Sequence, residues 1–291
     1  MPDRTALPVS SMVSLTALLS DAAERTDRTL PLAAVPLVVS LLAVDKFRRI
    51  AAFDGVNLGI SFGFPSAVTG GWTFLSLPSG GPGVTVYPAN PVSFVVFTGA
   101  ATLVTAALGA GYLGSLRRAV AGRSRQFLAD TRAYFLPVLL FQVASLVASL
   151  AFVGAALVVP LLLLLVVPVL LGLAYLFYAT PYLVVTGDRS LVPALSASYG
   201  YATEGGEYAS FFLRYLAVTA LVSLPAVPLF TSLGLVGALL GMAVLAPVGL
   251  LFDDATMAFL GELDGAGPAA PSPGSGDPPG LTVRRVEEGA E

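Results

Sequence analysis

The chain has 291 residues, 56% of them hydrophobic and only 11% charged, against roughly 25% charged residues in a typical soluble domain; a soluble globular fold is excluded. A net charge of -3 without a basic patch leaves no footprint for nucleic acid. The sequence has no cysteine and no histidine, which excludes disulfides, thiolate chemistry, Cys/His metal or haem ligation and a histidine general base.

Residues 1–28 form a polar N-terminal segment, without the basic start, apolar core and small-residue cleavage site of a secretory signal. Within it, residues 12–25 predict a short amphipathic helix with Val13, Leu15, Leu18 and Leu19 on one face. The first apolar run, 29–44, is only 16 residues long, where a membrane span needs about 20. Continued to Phe53 it reaches 25 residues, with Lys46, Arg48 and Arg49 drawn back to the interface at its end. Residues 55–91 differ in kind. Leu58, Ile60, Phe62 and Phe64 alternate with Asn57, Gly59, Ser61 and Gly63, a period of two that reads as a strand. With short extended runs at 73–75 and 84–87 and Gly/Pro turns between them, a small β-rich loop outside the bilayer is expected, carrying the single tryptophan, Trp72.

Further spans are expected at 92–113, 134–154, 160–184, 208–224 and 231–252. From Ala133 to Gly187 there are 55 residues without one Asp, Glu, Lys or Arg, too long for one membrane helix and so a hairpin. Residues 29–264 thus read as an all-α, six-span integral membrane domain, with residues 265–291, rich in Pro, Gly and Ser, as a disordered tail. Lysine and arginine counting places both termini in the cytoplasm of a multi-pass cell-membrane protein. Eleven arginines then fall inside, against Lys46, Arg48 and Arg49 outside. Three times a mildly amphipathic stretch (12–28, 117–132, 190–207) precedes an apolar hairpin. This suggests a repeat of cytoplasmic interfacial elbow helix plus hairpin.

Few side chains stand out inside the spans. No charged residue is expected deep in one; Arg214 lies about a turn into its helix, within reach of Glu207. Gln142, with Ser145 and Ser149 nearby, is the most polar side chain well inside a span and can bridge helices. Thr98 and Thr102, with Thr105, Gly99 and Gly109, form a small-residue stripe, and Gly237 and Gly241 a Gly-x-x-x-Gly pair suited to close packing. Asp253, Asp254, Glu262 and Asp264 read as a solvated acidic helix end. No catalytic constellation, cofactor site or metal site is expected, and an enzyme is disfavoured.

The segment from Ala179 to Tyr199 has Pro181 near a span end, a Gly187–Asp188 turn, then Ala194–Leu195 and Ser198–Tyr199 on a helix. It resembles an element of uncharacterised prokaryotic six-span proteins, similar to the membrane domain attached to some glycerophosphoryl diester phosphodiesterases. The resemblance covers about residues 116–264 and carries over no catalytic residue. The helix at 190–203, capped by Asp188, is expected on the cytoplasmic membrane surface with Leu191, Ala194, Leu195 and Ser198 on its apolar face. Two functions follow as expectations. The first is a non-catalytic scaffold or accessory subunit, its partners the lipid bilayer and an unknown membrane protein, with oligomeric state open and no nucleic acid. The second is a transporter or lipid-handling protein, which requires a polar or lipid-sized cavity.

Overall fold

The computed structural model describes residues 15–78, 91–159 and 162–265. The elements in chain order are α1 (Leu15–Glu24), α2 (Thr26–Thr29), a 3-10 turn (Leu30–Ala33), α3 (Ala34–Leu41), α4 (Val44–Ala51), a second 3-10 turn (Gly71–Thr73), then α5 (Pro91–Val120), α6 (Phe127–Val158), α7 (Leu163–Phe177), α8 (Thr180–Thr186), α9 (Leu191–Glu204), α10 (Glu207–Thr231) and α11 (Gly234–Leu263). The described residues contain no strand. Five helical stretches are long and apolar enough to cross a membrane: Phe94–Val120, Phe127–Val158, Leu164–Thr186, Glu207–Thr231 and Gly234–Leu263. The chain is a multi-pass helical membrane protein. We call the end at which α5 turns into α6 basal, and the opposite end distal.

The first expected span is not a straight helix. Thr26–Leu41 and Val44–Ala51 form a pair bent by 66°, which counts as a sixth crossing only when the two are taken together. The break falls at Leu42–Ala43, where Ala43 leaves helical geometry at ψ 61°. Three other helices run beyond their expected spans, because polar residues do not stop them: α5 continues past Arg117, α6 begins before Arg132 and α11 continues past Asp253.

That correction removes the second elbow. Residues 117–132 are the end of α5, a turn and the start of α6, with no separate helix. The first elbow exists as α1, but Leu15, Leu18 and Ala22 are buried and α1 packs against α11. The third is α9, whose buried residues are Ala194, Ser198 and Ala202, packed mainly on α7 and α8. Asp188 does not cap it; Ser190 is the N-cap residue and makes no side-chain cap bond. The threefold elbow-plus-hairpin pattern is therefore not upheld. The expected tail beyond Gly265, and the extended run at 84–87, lie outside the described residues.

The β-rich loop is replaced by something different. Residues 53–70 have no regular secondary structure and enter between helices from the distal end. Its period of two is real, but the small and polar members face the protein: Asn57 and Gly63 are buried while Leu58, Ile60 and Phe62 are exposed. No neighbouring strand serves the backbone. Hydroxyls of α10 and of the residue after it do so instead. Ser232 Oγ accepts from Asn57 N at 3.2 Å, Ser223 Oγ accepts from Ser61 N at 2.9 Å, and Thr219 Oγ1 donates to Gly63 O at 3.3 Å. Thirteen helical residues from 219 to 232 rise roughly 20 Å, and six extended residues from 57 to 63 cover about the same, so the two ladders keep step. The chain then turns at residues 65–69 and returns, with Ser61 Oγ donating to Thr73 O at 2.8 Å and Asn57 Nδ2 to Ser76 O at 2.8 Å. The limbs are so close at Gly63 that a Cβ there would stand 2.1 Å from Thr73 Cγ2. Irregular backbone at membrane depth is tolerated where protein packs against it and supplies its hydrogen bonds; the inward-facing side of this re-entrant segment is served in that way at Asn57, Ser61 and Gly63.

Candidate functional site

The tip of the re-entrant segment rests on Asp253. This residue lies 19 residues along α11 from Gly234, about 28 Å at 1.5 Å per residue, and is fully buried. Among the described residues its carboxylate has no arginine or lysine partner and accepts four neutral donors. Thr69 N and Tyr112 OH donate to Oδ2, both at 2.8 Å; Thr69 Oγ1 and Tyr182 OH donate to Oδ1 at 2.5 and 2.9 Å. Tyr215 OH stands 3.1 Å from Thr69 Oγ1. A buried charge is tolerable when its lone pairs are so filled. The expected solvated acidic end is thus corrected: Asp253 is at the centre of the bundle. Asp254 is buried beside it and paired with Arg25, which follows α1, at 2.5 Å. Ala255, Met257, Phe259 and Leu260 continue the apolar pattern past the two acids and are buried; that continuation was the available signal that the helix does not end there.

The remaining described ion pairs gather at the basal end. Arg118 Nε meets Asp130 at 2.8 Å, Arg189 meets Asp264 at 2.7 Å, and Arg117 meets Asp188 at 2.9 Å. Burial, then the hydrogen bond to Asp264, raises the Tyr201 hydroxyl to about 12. Asp188 adopts φ +47° and also accepts from Tyr134. The Arg117 hydrogen bond, aided by that of Tyr134, holds its carboxyl below the usual carboxylate value against the opposing effect of burial. A depressed carboxylate stabilises the fold above its unfolded pKa, and that stabilisation is lost as pH falls through the folded value. Asp188→Asn is therefore expected to melt below wild type at pH 7, with the gap closing as pH falls below the usual carboxylate range. The side chain is 63% exposed, so the gap at pH 7 should stay within about 1 kcal/mol. Melting curves of both proteins across pH check this.

Beside the re-entrant tip, α6 and α7 enclose a cleft of about 690 Å³. Its α6 wall carries Phe141, Gln142, Ala144, Ser145, Ala148 and Ser149; its α7 wall carries Leu170, Leu173, Ala174 and Phe177; Val39, Thr105, Pro65 to Val68 of the re-entrant segment, Tyr178, Pro181 and Leu195 complete it. Tyr182 OH, with one proton, lies within reach of both Ser66 O, at 2.6 Å, and Asp253 Oδ1, at 2.9 Å, so one residue ties the cleft lining to the buried carboxylate. α6 is the peripheral span, with 6% of its most apolar window buried against 50% in α11.

Of the positions singled out in the sequence, Gln142 lines this cleft and bridges to α5, its Oε1 3.0 Å from Thr105 Oγ1, which also lines the cleft. Thr98 and Thr102 are half-buried on α5 away from it, Thr102 donating to its own helix at Thr98 O. Arg214 lines a separate cleft of about 370 Å³ with Glu207, Phe211, Phe259 and Leu15. Gly237 and Gly241 seat Phe230 of α10: a Cβ at 237 would lie 2.4 Å from Phe230 O, one at 241 2.8 Å from its ring. That pair serves α10–α11 packing within the chain. The α5–α6 contact uses glycines that the sequence reading passed over, Gly111 against Phe127 and Thr131, and Gly114 against Asp130. No protein-family model, curated protein or solved structure matches the chain, and nothing in those comparisons bears on the phosphodiesterase-domain resemblance.

Proposed function

We propose that this is a lipid-handling membrane protein that takes up a membrane-dissolved amphiphile in the α6–α7 cleft. The observation that carries this reading is a polar stripe where hydrocarbon should be. Gln142, Ser145 and Ser149 stand on one side of α6, at i, i+3 and i+7, and line the cleft. The Ser145 and Ser149 hydroxyls have no hydrogen-bond partner among the described residues. A polar group without a partner is costly at membrane depth, where water does not reach, so the stripe calls for a ligand that hydrogen-bonds. An accessory subunit would use the same face to meet another protein, but the cleft is concave and its volume falls in the usual range for small-molecule sites. We place the basal end, with its arginines, in the cytoplasm of the cell membrane on the positive-inside rule.

Purification in mild detergent followed by native mass spectrometry should show a bound amphiphile. Ala148→Trp, at an exposed position in the cleft wall, should abolish that adduct without lowering the melting temperature. An adduct that persists in Ala148→Trp, or its absence from wild type, sinks the proposal.

A further inference from the structure

Resting on that reading, we infer that the ligand is an uncharged, single-chain lipid with a hydroxyl headgroup, a long-chain alcohol in its simplest form. Three observations converge on this class. First, among the described residues not one Asp, Glu, Lys or Arg lines the cleft. A carboxylate or phosphate drawn in from the membrane surface would leave water without gaining a counter-charge, a penalty of several kcal/mol.

Second, the polar groups suit a hydroxyl. The Thr105 hydroxyl has a single proton and lies 2.8 Å from Ala101 O and 3.0 Å from the Gln142 amide. If the proton goes to Ala101, the amide presents its NH2 to Thr105 and keeps its carbonyl for a ligand. If the proton goes to Gln142, the NH2 remains. A hydroxyl both donates and accepts, so it pairs with Gln142 in either state and with Ser145 and Ser149 as well. An ester or ketone, which only accepts, matches one of the two amide states.

Third, the size is that of one chain. At about 30 Å³ per water-sized unit, 690 Å³ holds roughly 23 such units, a volume that one lipid chain and a small headgroup would fill. The polar stripe lies on α6, while the facing wall is Leu170, Leu173, Ala174 and Phe177; the headgroup goes to the first and the chain to the second.

The test is photolabelling of the full chain in detergent with three diazirine probes of equal length: a long-chain alcohol, the matching carboxylic acid and the matching alkyl phosphate. The alcohol should label α6 and α7 peptides around residues 141–149 and 170–177 at least tenfold more than either anion. Ser145→Ala with Ser149→Ala should cut alcohol labelling by about fivefold per hydroxyl used, on the ordinary worth of a hydrogen bond. Gln142→Leu should cut it too, with melting temperature as the folding control for both variants. Equal labelling of the cleft by alcohol and anions would overturn the choice of headgroup and leave the lipid-handling reading standing. No labelling of these peptides by any probe, or α6 crosslinked to a second copy across the same face, would overturn both.

Discussion

Asp253→Leu is expected to cost about 3 kcal/mol or more and to release the re-entrant segment. Leucine approximates the size of aspartate but accepts nothing. Thr69 N–H and Tyr112 OH would each lose an acceptor in a dry environment, and an orphaned buried donor costs about 1–3 kcal/mol; Tyr182 OH keeps Ser66 O at 2.6 Å. Thr69 Oγ1 and Tyr215 OH can still pair with one another, so they add less. Asp253→Asn should fall between wild type and Asp253→Leu, because it keeps one carbonyl but turns an NH2 toward donors. The measurement is melting temperature in detergent, paired with maleimide labelling of Leu75→Cys. Leu75 is 4% exposed, and the chain has no native cysteine, so any signal reports that site alone. Asp253→Leu melting with wild type, and Leu75→Cys still protected in its background, would show that the carboxylate does not hold the segment.

Gly249→Ala is the second large effect, from a single methyl group. A Cβ at this position would lie 1.9 Å from Thr69 O and 3.0 Å from its carbonyl carbon. The obstacle is backbone, so no rotamer relieves it; either α11 or the tip must move, and the Thr69–Asp253 bonds fail with it. Overpacking of a tight interior costs about 1–3 kcal/mol and occasionally more. Gly154→Ala and Gly172→Ala are the controls, because a Cβ at either meets open space. There helix propensity alone acts, favouring alanine by up to about 1 kcal/mol. A Gly249→Ala protein that melts with these controls would mean that Thr69 does not approach α11 closely.

The helical membrane architecture was legible because it depends on long apolar runs, which tertiary context cannot disguise. What misled was polarity taken as a boundary. Asp253 looked like the end of a span because a lone carboxylate in hydrocarbon is costly; its four donors come from Thr69, Tyr112 and Tyr182, 71 to 184 residues away along the chain, and no local pattern announces them. The alternation at 57–64 read as a strand, and the described residues form none. It did not say what would satisfy that backbone, because the partners are serine and threonine hydroxyls on a helix rather than a second strand. Gln142 was legible as an intramembrane amide, and its bridge to Thr105 fits that reading. The cleft beside it was not, since it depends on how α7 stands away from α6.

The hydroxyl ladder between the re-entrant segment and α10 also sets an order of assembly. Residues 57–69 are synthesised early, yet their anchors at Ser223, Ser232 and Asp253 come 162 to 184 residues later. At ribosomal rates of roughly 5–20 residues per second, that is a wait of about ten to forty seconds. During it, the backbone amides of this stretch have neither helix nor ladder to satisfy them, and cannot settle in hydrocarbon. The native hydrogen bonds of this stretch thus depend on the two helices made last.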